Sequence, residues 1–286
     1  MLRWRLLLGT LLVALLVGLA WLDAGARVPG AWLMPAALVA VLLGGQEAID
    51  LTSRGGSQAA AWPAHLGNVL LILAAWLPAL WNRSAAPYLL AALFAAVCLI
   101  FLVGVRRYEA PDQNAHRLAP AIFAVVYVGY LLSFAIQLRM KFGVGPLASL
   151  LVVVKMGDIG AYTVGRLIGR HKMAPKISPG KTLEGAAGAL LFAAAGSWAS
   201  FTLMASYDGL PSAATAGIRS WLPFGLVIGL AGIFGDLAES LLKRDAGVKD
   251  SSRWLPGFGG VLDIIDSVLM AAPLAWFCWE FCLKGL

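Results

Sequence analysis

Between Asp236 and Ser267 the chain carries a run of side chains suited to holding phosphates and a hard cation. Asp236 and Glu239 lie at the end of an apolar segment, where unpaired carboxylates repel and cost several kcal/mol, a cost that a divalent cation removes. Lys243, Arg244, Lys249, Asp250 and Arg253 follow, then the turn PGFGG, then Asp263 and Asp266 at i, i+3 where the next apolar segment opens. A helix N-terminus favours carboxylates, so capping alone explains one of these aspartates and can explain both. Glu239 and Lys243, at i, i+4, also fit an exposed helix pair worth about 0.3–0.5 kcal/mol. Asp236 together with Asp263 makes an all-oxygen donor set of the kind Mg2+ prefers. With the lysines and arginines nearby, it describes a nucleoside triphosphate site.

A second charged block lies upstream, VVVKMGDIGAYTVGRLIGRHKMAPKISPGKTLEG, residues 152–185. Lys155 and Asp158 sit three residues apart in an apolar run, so they share a helix face and can pair. Ionisable groups at such a depth usually line polar cavities, although a pair that only orients two helices is the plainer reading. The following basic stretch, rich in Pro and Gly, offers N–H groups, the hydroxyls of Ser178 and Thr182 and the Lys181 ammonium to a phosphate. It lacks the GxxxxGK[ST] order of a P-loop and, taken alone, reads as a basic connector.

These residues must be positioned by membrane-spanning helices. The 286 residues are 60% hydrophobic and 13% charged, with mean hydropathy +0.81, far more apolar than a soluble domain. Apolar segments near 6–22, 31–45, 60–81, 86–104, 119–138, 145–167, 184–206, 221–242 and 260–282 predict an all-α polytopic bundle of about nine transmembrane helices. No separate soluble domain is visible. The expectation is a single membrane domain over 1–286, with N-terminal spans in 1–140 and catalytic spans and loops in 145–282. The basic start MLRWR resembles that of a signal peptide, but its apolar run is long enough to cross and leads directly into further spans, so it reads as a retained anchor.

Lys and Arg number 15 at the N-terminus and in the loops after even-numbered spans, against 6 on the opposite side, with Lys155 inside a span. That bias places the N-terminus and the charged blocks in the cytoplasm of a multi-pass protein of the cell membrane. The net charge of +7 suits anionic lipid or an anionic substrate rather than nucleic acid. Cys98, Cys278 and Cys282 read as buried small apolar residues, since no metal-binding spacing accompanies them.

The segments GDLAESLLKRDAGVKDS and PGFGGVLDIIDS, with the upstream block, resemble the phosphatidate cytidylyltransferases (CDP-diacylglycerol synthases). Their signature has the form S-x-x-K-R-x4-K-D, a short gap, then P-G-H-G-G and x-D-R-x-D. Ser240, Lys243, Arg244, Lys249, Asp250, Pro256, Gly257, Gly259, Gly260, Asp263 and Asp266 fall on it in register. The likeness is tight over about residues 152–267, and the earlier spans match only in being hydrophobic. Two positions depart from it: Phe258 stands where the family has His, and Ile264 where it has Arg. Neither can carry a proton or hold triphosphate oxygens as those residues could.

The resemblance implies attack of the phosphate of phosphatidic acid on the α-phosphorus of CTP, releasing pyrophosphate and forming CDP-diacylglycerol. It further implies Mg2+ at Asp236 and Asp263, with Asp266 and Glu239 supporting, and leaves a second divalent or a monovalent cation open. Lys181, Lys243, Arg244 and Lys249 would hold phosphates, Ser178, Thr182 and Asp250 would line the substrate, and Asp158 would orient the metal. Partners implied are CTP, phosphatidic acid, membrane lipids and a second copy in a homodimer. The alternatives are an enzyme of the same fold acting on another lipid phosphate and a non-catalytic relative that binds lipid or nucleotide. An anion transporter fits less well, because charge is concentrated in the C-terminal half and no inverted repeat is visible.

Overall fold

Lipid offers a backbone no hydrogen-bond partners, so an apolar segment crossing it must satisfy its own amides as a helix. A computed structural model of the chain describes residues 2–53, 60–108, 114–205, 217–254, 257 and 259–283, without side chains for 2–8, 114 and 205. Phe258, Pro256 and Arg54 lie outside the described residues, as do the side chains of Arg3 and Arg5.

Helices α1 (Leu2–Ala24), α2 (Leu33–Thr52), α3 (Ala61–Leu80) and α4 (Ala86–Arg106) come first. Helix α5 (Asn114–Ala124) runs through a π-helical turn, Val125–Tyr130, into α6 (Leu131–Phe142). Then come α7 (Val144–Ile168), strands β1 (Lys172–Ala174) and β2 (Ser178–Thr182), α8 (Leu183–Ala205) and α9 (Ile218–Asp245). Helix α10 (Leu262–Phe277) ends in a second π-helical turn, Cys278–Leu283. Among the described residues, 8 helices are long and apolar enough to cross a membrane, and the described part of α1 adds a shorter apolar one. The protein is a polytopic all-α membrane protein.

Three readings are corrected. Helix α2 continues to Thr52, past the expected end at 45, because its late polar residues are satisfied within the protein and do not stop the helix. The basic connector is a hairpin, with Lys172 opposite Thr182 and Ala174 opposite Ser178. Cys98 and Cys282 are exposed and Cys278 is half-buried. In helices apolar all round, composition does not distinguish the packed face from the lipid face.

The chain forms two compact units, one of residues 1–141 with 242–265 and one of 142–241 with 266–286. Thus α9 and α10 each contribute to both, and residues 242–265, read from sequence with the C-terminal half, belong to the first unit. In that unit Val41, Leu71, Ile72, Ala75, Val125 and Val128 are fully buried where α2, α3 and the α5–α6 helix meet. Asp23, also fully buried, fixes the end of α1. It accepts hydrogen bonds from the Gly30 and Trp32 amides and pairs with Arg139 at 2.5 Å.

In the second unit α7 and α8 pack through Gly157, Gly160, Gly185, Gly188 and Ala189, small residues that let helix backbones approach where no hydrophobic effect drives them together. Phe142, Phe201, Phe224 and Trp279 stack in a cluster, with Phe201 5.6 Å from Trp279 between ring centres. Helices α9 and α10 also meet backbone to backbone: a Cβ on Gly235 would stand 2.6 Å from the Asp266 carbonyl oxygen and 2.9 Å from Ser267 Cα. Gly235→Ala is therefore expected to cost about 1–3 kcal/mol, read from thermal unfolding in detergent. Gly232→Ala, whose Cβ would sit 3.9 Å from Ser267 Cβ, should leave unfolding unchanged.

Candidate active site

In the second unit, charged side chains from α7, β2, α9 and α10 gather where the sequence reading put chemistry. Lys155 Nζ lies 2.9 Å from Asp158 Oδ2 on α7, both side chains a little under half exposed. Lys181, in the last residues of β2, reaches Asp236 on α9, with Nζ 2.8 Å from Oδ2. Asp266, nearly buried at 5% exposure, has Asp236, Lys155 and Asp158 as charged neighbours. The close contact at Gly235 is what brings Asp236 and Asp266 near one another. Glu239 is buried one turn further along α9, at 1% exposure.

The hairpin that carries Lys181 is anchored at both ends. Thr182, buried at the start of α8, accepts a hydrogen bond from the Gly185 amide at 3.1 Å. Glu184 accepts from the Arg170 and His171 amides at 3.0 and 3.2 Å and pairs with His171 Nδ1 at 2.5 Å. His171, a candidate to stand in for a missing family residue, is thereby held at the hairpin entrance. Ser178 is half-buried on β2.

In the first unit Lys243 donates to Asp263 Oδ1 at 2.6 Å, and both side chains are nearly buried, at 12% and 10% exposure. The other Asp263 oxygen, Oδ2, accepts from Ser251 Oγ at 2.6 Å, the Gly260 amide at 2.8 Å and the Ser251 amide at 2.9 Å. Gly259, at φ 97°, lets this turn close on the carboxylate, in backbone that disfavours a side chain. Arg244 donates to the Val248 carbonyl at 3.3 Å, and Lys249 and Asp250 are exposed beside it.

The cytidylyltransferase family model matches residues 3–282. The chain belongs to the cytidylyltransferase family. It is 40% identical to a phosphatidate cytidylyltransferase of Mycobacterium leprae over 58% of this chain and 51% of that one. With the Thermotoga maritima phosphatidate cytidylyltransferase it shares 35% identity over 62% of this chain and 64% of the relative. The Synechocystis protein of the same name is 29% identical over 93% of this chain and 94% of its own. The chain thus spans about half the length of the first of these relatives and under two thirds of the second.

Within this cytidylyltransferase-family chain Asp236 lies in the second unit and Asp263 in the first. Each engages a lysine of its own unit, because a carboxylate among apolar helices pairs with whatever cation the fold brings within reach. Among the described residues, no three His, Cys, Asp or Glu side chains converge as a metal cage. Mg2+ is commonly held by one or two carboxylates plus substrate phosphates rather than by a cage. Asp236, still 44% exposed, beside Asp266 supplies hard oxygen donors of that kind. The donor chemistry fits the ion.

Sequence reasoning missed Glu47 on α2, which is 6% exposed. Its Oε1 accepts from Ser252 Oγ at 2.8 Å and the Val261 amide at 3.1 Å. Its Oε2 accepts from the Leu262 amide at 2.7 Å and lies 3.0 Å from Ser251 Oγ, whose one proton it shares with Asp263. The available signal was a glutamate among Gln46 and Asp50 at the end of an otherwise apolar segment, just after Gly44 and Gly45.

Proposed function

We propose that the protein transfers the cytidylyl group of CTP to the phosphate of phosphatidic acid, yielding CDP-diacylglycerol and pyrophosphate in phospholipid biosynthesis. The observation that carries this reading is that Lys155, Asp158, Asp236 and Asp266, on helices of membrane-spanning length, gather with Lys181 of the hairpin. Two polyanions must meet there, and transfer at phosphorus depends mainly on positioning and charge neutralisation. The names of the relatives support the same chemistry.

A lipid phosphate oxygen forms a bond to the α-phosphorus of CTP as the bond from that phosphorus to the bridging oxygen breaks, and pyrophosphate leaves with the electron pair. Lys181 holds phosphate oxygens, its ammonium exchanging Asp236 for substrate. Lys155 offers a second cation from α7, with Asp158 fixing its direction. Lys243, Arg244 and Lys249 are the further phosphate-holding cations of this reading, and Ser178 and Thr182 keep the hairpin in place for Lys181. Mg2+ would be held by Asp236 and Asp266, with Glu239 a further candidate in the same unit, and would supply charge neutralisation on the triphosphate. No covalent enzyme intermediate is required, because the lipid phosphate is itself the nucleophile. The charged face is cytoplasmic on the positive-inside bias, where CTP is found, and a homodimer remains part of the proposal.

The test is turnover by the purified chain in detergent with CTP, Mg2+ and phosphatidic acid, CDP-diacylglycerol being the product measured. Wild-type turnover is expected. No product from wild type, where Phe258→His/Ile264→Arg restores it, would favour the non-catalytic reading.

A further inference from the structure

Glu47 brings together what the sequence keeps some 204 residues apart, since its carboxylate meets Ser251, Ser252, Val261 and Leu262. Each oxygen faces one serine hydroxyl and one backbone N–H at the opening of α10. A carboxylate, with acceptors only, satisfies both sides. A glutamine amide cannot, because its NH2 must face one of the two backbone N–H groups whichever way it turns. Ser251 Oγ also lies 2.6 Å from Asp263 Oδ2, and Asp263 in turn holds Lys243. A continuous chain of polar contacts therefore runs from Glu47 through Ser251 and Asp263 to Lys243, all within the first unit.

We infer that Glu47 is a positioning residue for the cytidylyl transfer: it fixes the glycine turn and the start of α10, and through them the direction of Lys243 toward the triphosphate. The inference rests on the function proposed above. The Glu47 carboxylate is buried and taken up by protein donors, so its loss should act through Lys243, on turnover and on CTP. Phosphatidic acid should be recognised as before.

The test uses the full chain in detergent and phospholipid micelles. Glu47→Gln is expected to lower kcat about tenfold or more and to raise KM for CTP, with KM for phosphatidic acid within about twofold of wild type. Glu47→Asp, which keeps the charge on a shorter arm, should fall between. Hydrogen exchange at the Val261 and Leu262 amides should speed up in Glu47→Gln while the unfolding midpoint stays within a few degrees. Wild-type kcat in Glu47→Gln, equal losses of affinity for both substrates, or unchanged exchange at those amides would each overturn the proposal. If Glu47→Gln does not fold, Ser252→Ala, which deletes one donor, decides the matter. A kcat about threefold or more below wild type is then expected, and full activity overturns the inference. A wild type without turnover defeats the functional reading instead, and the exchange measurement then decides the role of Glu47 by itself.

Discussion

Asp236→Asn is expected to cut CDP-diacylglycerol formation by about two to three orders of magnitude while leaving the protein folded. The two effects separate because of where the pair sits. Asp236 is 44% exposed and Lys181 21%, so their 2.8 Å pair is partly solvated and contributes on the order of 1 kcal/mol to stability. The carboxylate nevertheless does two jobs that an amide cannot. On the proposed function it would offer hard oxygen charge to a cation beside Asp266 and would hold Lys181 in the direction of the phosphate oxygens. Asparagine keeps the shape and loses both.

The measurement is turnover of labelled CTP at saturating phosphatidic acid, paired with thermal unfolding of the same preparation. Undiminished product from Asp236→Asn would remove Asp236 from the metal and phosphate site. Lys181→Met in the same background sharpens the test: if the pair were only a helix clamp, removing both partners would restore activity, since the uncompensated lysine would be gone. The expected outcome is a double variant as inactive as the singles.

How much of this was legible in the sequence depends on the range of the interaction. The pairing of Lys155 with Asp158 follows from i, i+3 spacing on a helix, and spacing was enough. The same rule puts Glu239 and Lys243 on one helix face, while the contact of Lys243 with Asp263, 20 residues away, is one that a periodicity on one helix cannot reveal. The helices themselves were readable because length and apolarity at bilayer depth are local properties. The end of α2 was not, because the apolar run stops at 45 while the helix goes on through Gln46, Glu47 and Asp50. The cost of burying Glu47 is offset by donors from residues 251–262, and nothing near residue 47 announces them. Likewise the glycine turn was legible as a turn, while the carboxylate that fills it had to be seen in three dimensions.

Asp263 gives the sharpest stability prediction. Its carboxylate accepts from Lys243, from the Ser251 hydroxyl and from the amides of Ser251 and Gly260, and only 10% of the side chain is exposed. Asp263→Ala strands the Ser251 and Gly260 amides and removes the carboxylate that Lys243 engages at 2.6 Å. Breaking a buried pair from one side typically costs about 3–5 kcal/mol, and the stranded amides add to it. Lys243→Met leaves the three Oδ2 contacts intact and substitutes an apolar stem of similar length, so its cost should be smaller, about 1–3 kcal/mol. Thermal or denaturant unfolding in detergent orders them: wild type, then Lys243→Met, then Asp263→Ala. The reverse order would mean that the lysine, not the turn, is what Asp263 stabilises. Both variants should lose turnover, so activity alone does not discriminate. Asp263→Asn does, since one amide oxygen can still accept the three Oδ2 donors. It should recover only the part of the stability that the Oδ2 contacts supply, because its NH2 then faces the Lys243 ammonium where a carboxylate oxygen stood, and little of the turnover.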